Sequence, residues 1–346
     1  MAAAVDTSNT ELSKQYDTPM GLAHSTMQAL KDRIKTHYDL ASDYYLSLWG
    51  EHIHHGYWED GSETKEQAQV KLIQLLLQLS GVSENSNVLD VGCGIGGTSR
   101  YLASTLGCSV TGITISTKQV EIANRLTKAE SEKQQASAAS TASASASATE
   151  TPDKGKEVEA DADGFVPLGR GRIRFIELDA EKMGDFFAGQ SASFDAVWIS
   201  EALSHFPNKA LFFENAFKVL KPSGKLALAD WFKAENVTET EFANDLKPIE
   251  DGMLLPPLCT QQGYVDFAKG AGLSLLAGPK DISKEVARTW DITWTLVQNP
   301  SLWAFAFSQG RDGIAFLQSF RAMRRGYANG TFRYAVISFE KPSGKA

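Results

Sequence analysis

The chain predicts a doubly wound α/β fold, a mostly parallel sheet with helices on both faces. Apolar runs of strand type alternate with stretches of helical spacing from residue 66 to residue 229, the pattern that parallel strands joined by crossover helices produce. The run Val88-Leu89-Asp90-Val91 leads straight into a glycine cluster, Gly92, Gly94, Gly96 and Gly97, which opens a helical segment near Thr98. A backbone that turns tightly and approaches a ligand closely cannot carry side chains at such points. With 346 residues and 42% apolar content the chain can bury a substantial core.

The elements follow in order. Residues 1–25 read as a flexible leader without the apolar core of a signal peptide, and 26–346 as one domain. Helical spacing runs over Met27–Trp49 and more clearly over 66–79, where Leu72, Ile73, Leu75, Leu76 and Leu79 belong to a broad apolar face suited to covering a sheet. A strand ends at 88–90, a helix spans 98–106, Ser109–Thr114 is a second strand, and a helix follows over 116–128. Composition then changes. Residues 134–150 are almost entirely Ala, Ser and Thr, and 151–163 are dominated by charge. Ser and Thr compete for backbone hydrogen bonds and no apolar stripe is left to dock, so 130–168 is predicted to be a disordered insertion on a helix-to-strand connection. Strands are expected at 172–178, 194–199 and 225–229, with a helix at 209–220 and a turn at Pro222-Ser223-Gly224. Residues 231–329 are aromatic-rich and less regular, and 332–340 alternates as a closing strand.

Composition excludes several classes. A net charge of −8 without a basic stripe argues against a nucleic-acid surface. Cys93, Cys108 and Cys259 form neither a disulfide framework nor a metal-ligand pattern, which points to a reduced, cytoplasmic protein. No apolar run approaches the roughly 18 residues of a membrane span. The stretch RAMRRGY, with Arg321, Arg324 and Arg325, reads as a solvated helix end or as a contact for an anionic membrane surface.

Asp90 weighs on what the glycine turn holds. Dinucleotide enzymes place the glycines directly after the strand and an acid about 20 residues later on the ribose hydroxyls. Here the second strand ends in VTGITIS, with no acid. A carboxylate two residues before Gly92 would repel a pyrophosphate and suit an amino group, so S-adenosylmethionine (SAM) fits better than NAD; the alternative is that Asp90 buttresses the turn.

These residues resemble the class I SAM-dependent methyltransferases, within them the group of tocopherol, sterol and alkaloid methyltransferases. HYDLASDYYLSLWGEHIHHGYW, VLDVGCGIGGTSRYLA, GITISTKQVEIA, FDAVWISEALSHFPNK, GKLALADWF and DGMLLPPLCTQQGYVDFAKGAGL occur in that group's order, and HIHHGYW and LPPLC are similar to the tocopherol methyltransferase type. The resemblance implies a Rossmann-like fold with a seven-stranded, mostly parallel sheet. It also implies an N-terminal helical flap over 27–62 and an acceptor-binding lid over 235–330. It implies that Gly92, Gly94 and Gly96 line the methionine and ribose part of SAM and that Asp90 meets its amino group. Thr114, Ile115 and Gln119 would serve the ribose, and Asp179 and Ala180 the adenine. Ser200 and Glu201 would stand beside the reactive methyl, while Tyr38, His54 and His55 belong to the flap.

Methyl transfer from a sulfonium is an in-line displacement that asks chiefly for alignment and desolvation, and no metal is expected. A phenol or amine acceptor still loses a proton. Candidate bases are Glu201, His205, His55, His54 and Asp39; Glu201 and His205 would share a face if their segment were helical. His205 would otherwise pack beneath the loop. His54 and His55 lack a third ligand at metal spacing. The aromatics after Trp231, with an apolar wall over 253–258, would hold an aromatic or apolar acceptor, and no nucleic acid or integral membrane is expected as a partner. The leading reading is methylation of a phenolic oxygen, amine nitrogen or activated carbon of a secondary metabolite. C-methylation of sterols or prenylated quinols and a non-catalytic SAM-binding protein are the alternatives.

Overall fold

Residues 27–145, 159–190, 192–308 and 310–344 are described by the computed structural model. Eight strands form one sheet in the order β3-β4-β2-β1-β5-β6-β8-β7. The strands are β1 (Asn87–Val91), β2 (Ser109–Thr114), β3 (Val166–Leu168), β4 (Gly171–Glu177), β5 (Phe194–Ser200), β6 (Leu220–Lys233), β7 (Ser274–Asp281) and β8 (Phe332–Glu340). β4, β2, β1, β5 and β6 are parallel, as expected. β8 runs antiparallel between β6 and β7. Val88, Leu89 and Val91 are fully buried because helices cover both faces, which is why this strand reads as an unbroken apolar run.

The longer helices are α1 (Met27–Trp49), α2 (Lys65–Ser80), α3 (Gly97–Leu106), α4 (Thr117–Ser145), α5 (Lys209–Val219), α6 (Gln261–Gly270), α7 (Arg288–Leu296), α8 (Pro300–Ser308) and α9 (Arg311–Asn329). α2 starts on a capping box between Thr64 and Gln67 and stops where Gly81 turns left-handed at φ 66°. Its Leu72, Ile73, Leu75 and Leu76 join the core.

Two strands escape the sequence pattern, and one of them makes the sheet eight-stranded rather than seven-stranded. β7 is exposed along almost its whole length and contains Gly278-Pro279, so it carries no apolar alternation and reads as a turn. β3 is three residues long and includes Pro167; it pairs antiparallel with the edge of β4. Both ends of the expected disordered insertion are therefore regular. α4 continues through residues 130–145, Ser131 Oγ donates to the Pro167 carbonyl at 2.7 Å, and the Gly169 N–H donates to Gln134 Oε1 at 2.8 Å. Residues 146–158, like the leader at 1–25, lie outside the described residues.

The chain builds outward from β1 to β2 and β4 on one side and from β5 to β6 on the other. The carboxyl ends of β1 and β5 thus flank the point where strand order reverses, the place where open α/β sheets bind ligands.

Candidate active site

A cavity of about 280 Å³ opens at that point, walled by the glycine turn, the ends of β2 and β5, α1, residues 51–55 and the helices after β7. One end is polar. Gly92 turns at φ 71°, and a Cβ there would fall 2.3 Å from the Ala202 Cβ. Gly94 is different: the nearest atom to a Cβ would be Ile53 Cδ1 at 3.8 Å, so the space above it opens into the cavity. Asp90 is buried, accepts from the Ser99 hydroxyl, and is met by no salt bridge among the described residues. Burial pushes its carboxyl up to about 7, with the Ser99 hydrogen bond working the other way. A ligand ammonium would supply the missing positive charge.

Thr114, Ile115, Gln119, Asp179, Ala180 and Ser200 also line the cavity, as do Tyr38 and His54. The Thr114 hydroxyl donates to Gln119 Oε1 at 2.6 Å. Asp179 caps the turn after β4 by accepting from the Glu181 N–H at 3.0 Å. Its other oxygen is held at 2.9 Å by Lys31, which also pairs with Glu181. Lys31 has no motif of its own and was not a candidate; its position emerges only when α1 lies across the end of β4. Gly96 departs from expectation. It is absent from the cavity wall, and a Cβ there would fall 2.4 Å from Phe175 Cζ, so it serves packing at the start of α3.

Glu201 sits past the end of β5 with φ 56°, a left-handed conformation uncommon for a residue with a side chain. The segment is not helical, so Glu201 and His205 do not share a helix face; a 3-10 turn over Leu203–His205 separates them. Glu201 accepts from the His55 backbone N–H (2.7 Å), from His55 Nδ1–H (2.9 Å) and from the Tyr334 hydroxyl (2.7 Å). Burial works to raise its pKa, but the His55 interactions outweigh it and hold the carboxyl below its ordinary value. The Trp290 indole N–H donates to His55 Nε2 at 2.7 Å, which requires that nitrogen to be unprotonated. Both ring nitrogens of His55 are therefore engaged. His55 lines the cavity but holds Glu201 and the lid in place, and it drops out as a base.

His205 Nε2 lies 3.2 Å from the Tyr38 hydroxyl. Burial drives its pKa down to about 3, so the ring is neutral around pH 7 and a weaker base than a solvated imidazole. Its loop is clamped by two groups the sequence did not reveal. The buried Lys209 ammonium donates to the Ser204 (3.3 Å) and Phe206 (3.0 Å) carbonyls, and Asp230 accepts from the Ser204 N–H at 2.7 Å. Asp39 leaves the base candidates. It is absent from the cavity wall, and its Oδ1 accepts from the Ser116 hydroxyl and the Lys118 N–H. His54 Nδ1–H donates to the His55 carbonyl at 2.8 Å, which fixes its tautomer.

The other end of the cavity is apolar: Trp231, Met253, Trp290, Leu296, Leu302, Phe316 and Phe320. Of the wall expected over 253–258, only Met253 faces it; Leu255 and Leu258 belong to the core. Tyr264 is also core, donating to Asp230 at 3.1 Å. The side chains that do wall the cavity share no spacing distinguishable from that of core residues.

The family model for mycolic acid cyclopropane synthetase matches residues 24–142, and that for a methyltransferase domain matches residues 89–228. The chain is 28% identical to a chloroplastic tocopherol O-methyltransferase of Arabidopsis thaliana, over 92% of this chain and 85% of that one. It is 30% identical to a 27-O-demethylrifamycin SV methyltransferase of Amycolatopsis mediterranei, over 73% of this chain and 77% of that one. Among solved structures, a mycolic acid cyclopropane synthase complexed with SAH and CTAB superposes with a TM-score of 0.68 at 18% identity, over 90% of this chain and 98% of that one.

Proposed function

The chain belongs to the class I SAM-dependent methyltransferases, in the group that includes the tocopherol and sterol enzymes, and from that premise we propose that it methylates a hydroxyl or amine of an apolar, ring-bearing secondary metabolite. The observation that carries this reading is the two-ended cavity: a polar end with an uncompensated buried carboxylate, an apolar aromatic end, and Glu201 and His205 among its walls.

SAM is the methyl donor, and when bound it supplies a methyl already activated on a positively charged sulfur. Asp90 would receive its ammonium, Thr114 and Gln119 its ribose, and Asp179 its adenine. Glu201 would keep a negative charge near the reacting centre, held ionised by His55 and Tyr334. The Tyr38–His205 pair would relay the acceptor's proton, the ring standing 3.2 Å from the Tyr38 hydroxyl on a rigid loop. The aromatic walls would exclude water and orient the acceptor ring. A second reading, C-methylation of a sterol or prenylated quinol, draws on the apolar end and on relatives such as a cycloartenol-C-24-methyltransferase of Oryza sativa. The compartment we infer is the cytoplasm, from the cysteine usage; among the described residues no helix is long and apolar enough to cross a membrane. The relatives named chloroplastic make the plastid the alternative for cell fractionation to decide.

Incubation with labelled SAM and an extract of the producing cells, followed by mass identification of the labelled product, tests the acceptor class. A labelled phenol or amine supports the proposal, a labelled sterol or quinol carbon supports the second reading, and tight SAM binding with no labelled product overturns both. His205→Ala is expected to lower kcat by roughly a hundredfold or more while the SAM Kd stays put; unchanged turnover would remove His205 from the proton path.

A further inference from the structure

The outer surface of the lid is apolar where a protein surface ordinarily is not. α8 carries Leu302, Trp303, Ala304, Ala306 and Phe307 in a nine-residue helix. Leu302 points inward and lines the cavity, whereas Trp303 is 41% and Phe307 65% exposed. Their rings lie 5.9 Å apart, and the Trp303 indole N–H donates to the Val297 carbonyl at the end of α7, so the patch is held in shape. It continues on both sides. Trp294 of α7 is exposed with the Arg324 guanidinium 5.5 Å from its ring, and Ile314 of α9 is exposed next to the crossing where Gly313 packs on the Ala306 carbonyl.

The charge around this patch differs from that of the rest of the molecule. The chain as a whole carries −8, but the exposed side of α9 carries Arg324, which lies over Trp294 and pairs with Asp291, and Arg321 three residues before it. Exposed aromatic side chains with arginine on the neighbouring helix match the headgroup layer of a bilayer, where indole rings sit at the boundary and guanidinium groups meet lipid phosphates. A second link runs through the cavity. α8 faces it on one side and solvent on the other, and Tyr44 of α1, which also lines it, is 40% exposed, so the cavity reaches the surface between flap and lid.

We propose that the outer face of α7, α8 and α9 docks on an anionic lipid bilayer, placing the cavity entrance at the membrane surface. The docking needs no spanning segment and no particular acceptor. Trp303 and Phe307 enter the interface, Arg321 and Arg324 contact anionic headgroups, and the acidic remainder of the surface is repelled, which sets the orientation.

The test is co-sedimentation of the full chain with vesicles of phosphatidylcholine, with and without phosphatidylglycerol, at low and high salt. The expected result is binding to the anionic vesicles that weakens with salt. Trp303→Ser/Phe307→Ser should lower the partition coefficient on the order of tenfold or more, and Arg321→Glu by about fivefold or more. SAM affinity, which these positions do not touch, should match the parent and show that the variants are folded. Absence of binding to the anionic vesicles overturns the proposal, as does equal binding of parent and Trp303→Ser/Phe307→Ser. A parent dimer that the double substitution turns into a monomer, without vesicle binding, would assign the face to a second copy of the chain instead.

Discussion

Asp90 keeps its carboxylate beneath the glycine turn with the Ser99 hydroxyl as donor, and burial lifts its pKa to about 7. An ammonium must meet it ionised, so SAM affinity is expected to fall as pH drops below about 7, by up to tenfold per unit, when followed by calorimetry. Asp90→Asn removes that dependence and costs about 1.5–3 kcal/mol of SAM binding. Trp290→Phe removes the donor to His55 Nε2 and so loosens the ring that holds Glu201; kcat is expected to fall by about tenfold, with the SAM Kd unchanged in a binding titration. Asp90 and Glu201 were legible because each sits at or beside the end of an apolar strand run, where the chain turns toward a ligand, and His205 follows on the loop after β5. The role of His55 was not: its partners Glu201 and Trp290 are 146 and 235 residues away in sequence. Lys31 and Lys209 read as ordinary solvated lysines until the fold buries their ammonium ends.

At the scale of elements, α1 is clamped across the ends of β2 and β4 by a row of polar contacts. Lys31 holds Asp179 and Glu181, Lys35 meets the Ile115 carbonyl (2.9 Å) and Glu177 (2.7 Å), and Asp39 takes the Ser116 hydroxyl. The following segment closes over α3, where a Cβ on Gly97 would fall 2.3 Å from the Glu51 carbonyl. Gly97→Ala is therefore expected to push residues 51–55 off the turn. Limited proteolysis should cut the flap region faster, and the SAM Kd should rise about tenfold or more, with the far-UV spectrum unchanged; an unaltered digestion rate would show that this segment does not close the site. Apart from β3, the helix and strand order from α2 to β6 was readable because parallel strands covered on both faces are continuous apolar runs. β7 was not, since exposure removes the alternation on which such a reading depends.

For the whole molecule, burial raises the pKa of Asp90, Asp230 and Glu250 to about 7 each. Between their ordinary values near 4 and about 7 the folded protein binds more protons at these groups than the unfolded chain does. Their contribution to stability is thus complete below the unfolded values and is lost as pH rises toward 7, which denaturant titrations across that window should show, with SAM recovering the share of Asp90. Replacing residues 146–158 by a short Gly-Ser linker is expected to shift Tm by no more than about 2 °C. Cutting further is another matter. β3 covers the open side of β4 over residues 171–173, Pro167 has no N–H to present to a neighbour, and its carbonyl is already taken by Ser131. A sheet that ended at β4 would offer seven residues of unpaired backbone to the next molecule, an invitation to aggregate through strand addition. The insertion thus finishes in a short strand that shields the first three residues of that edge from such addition.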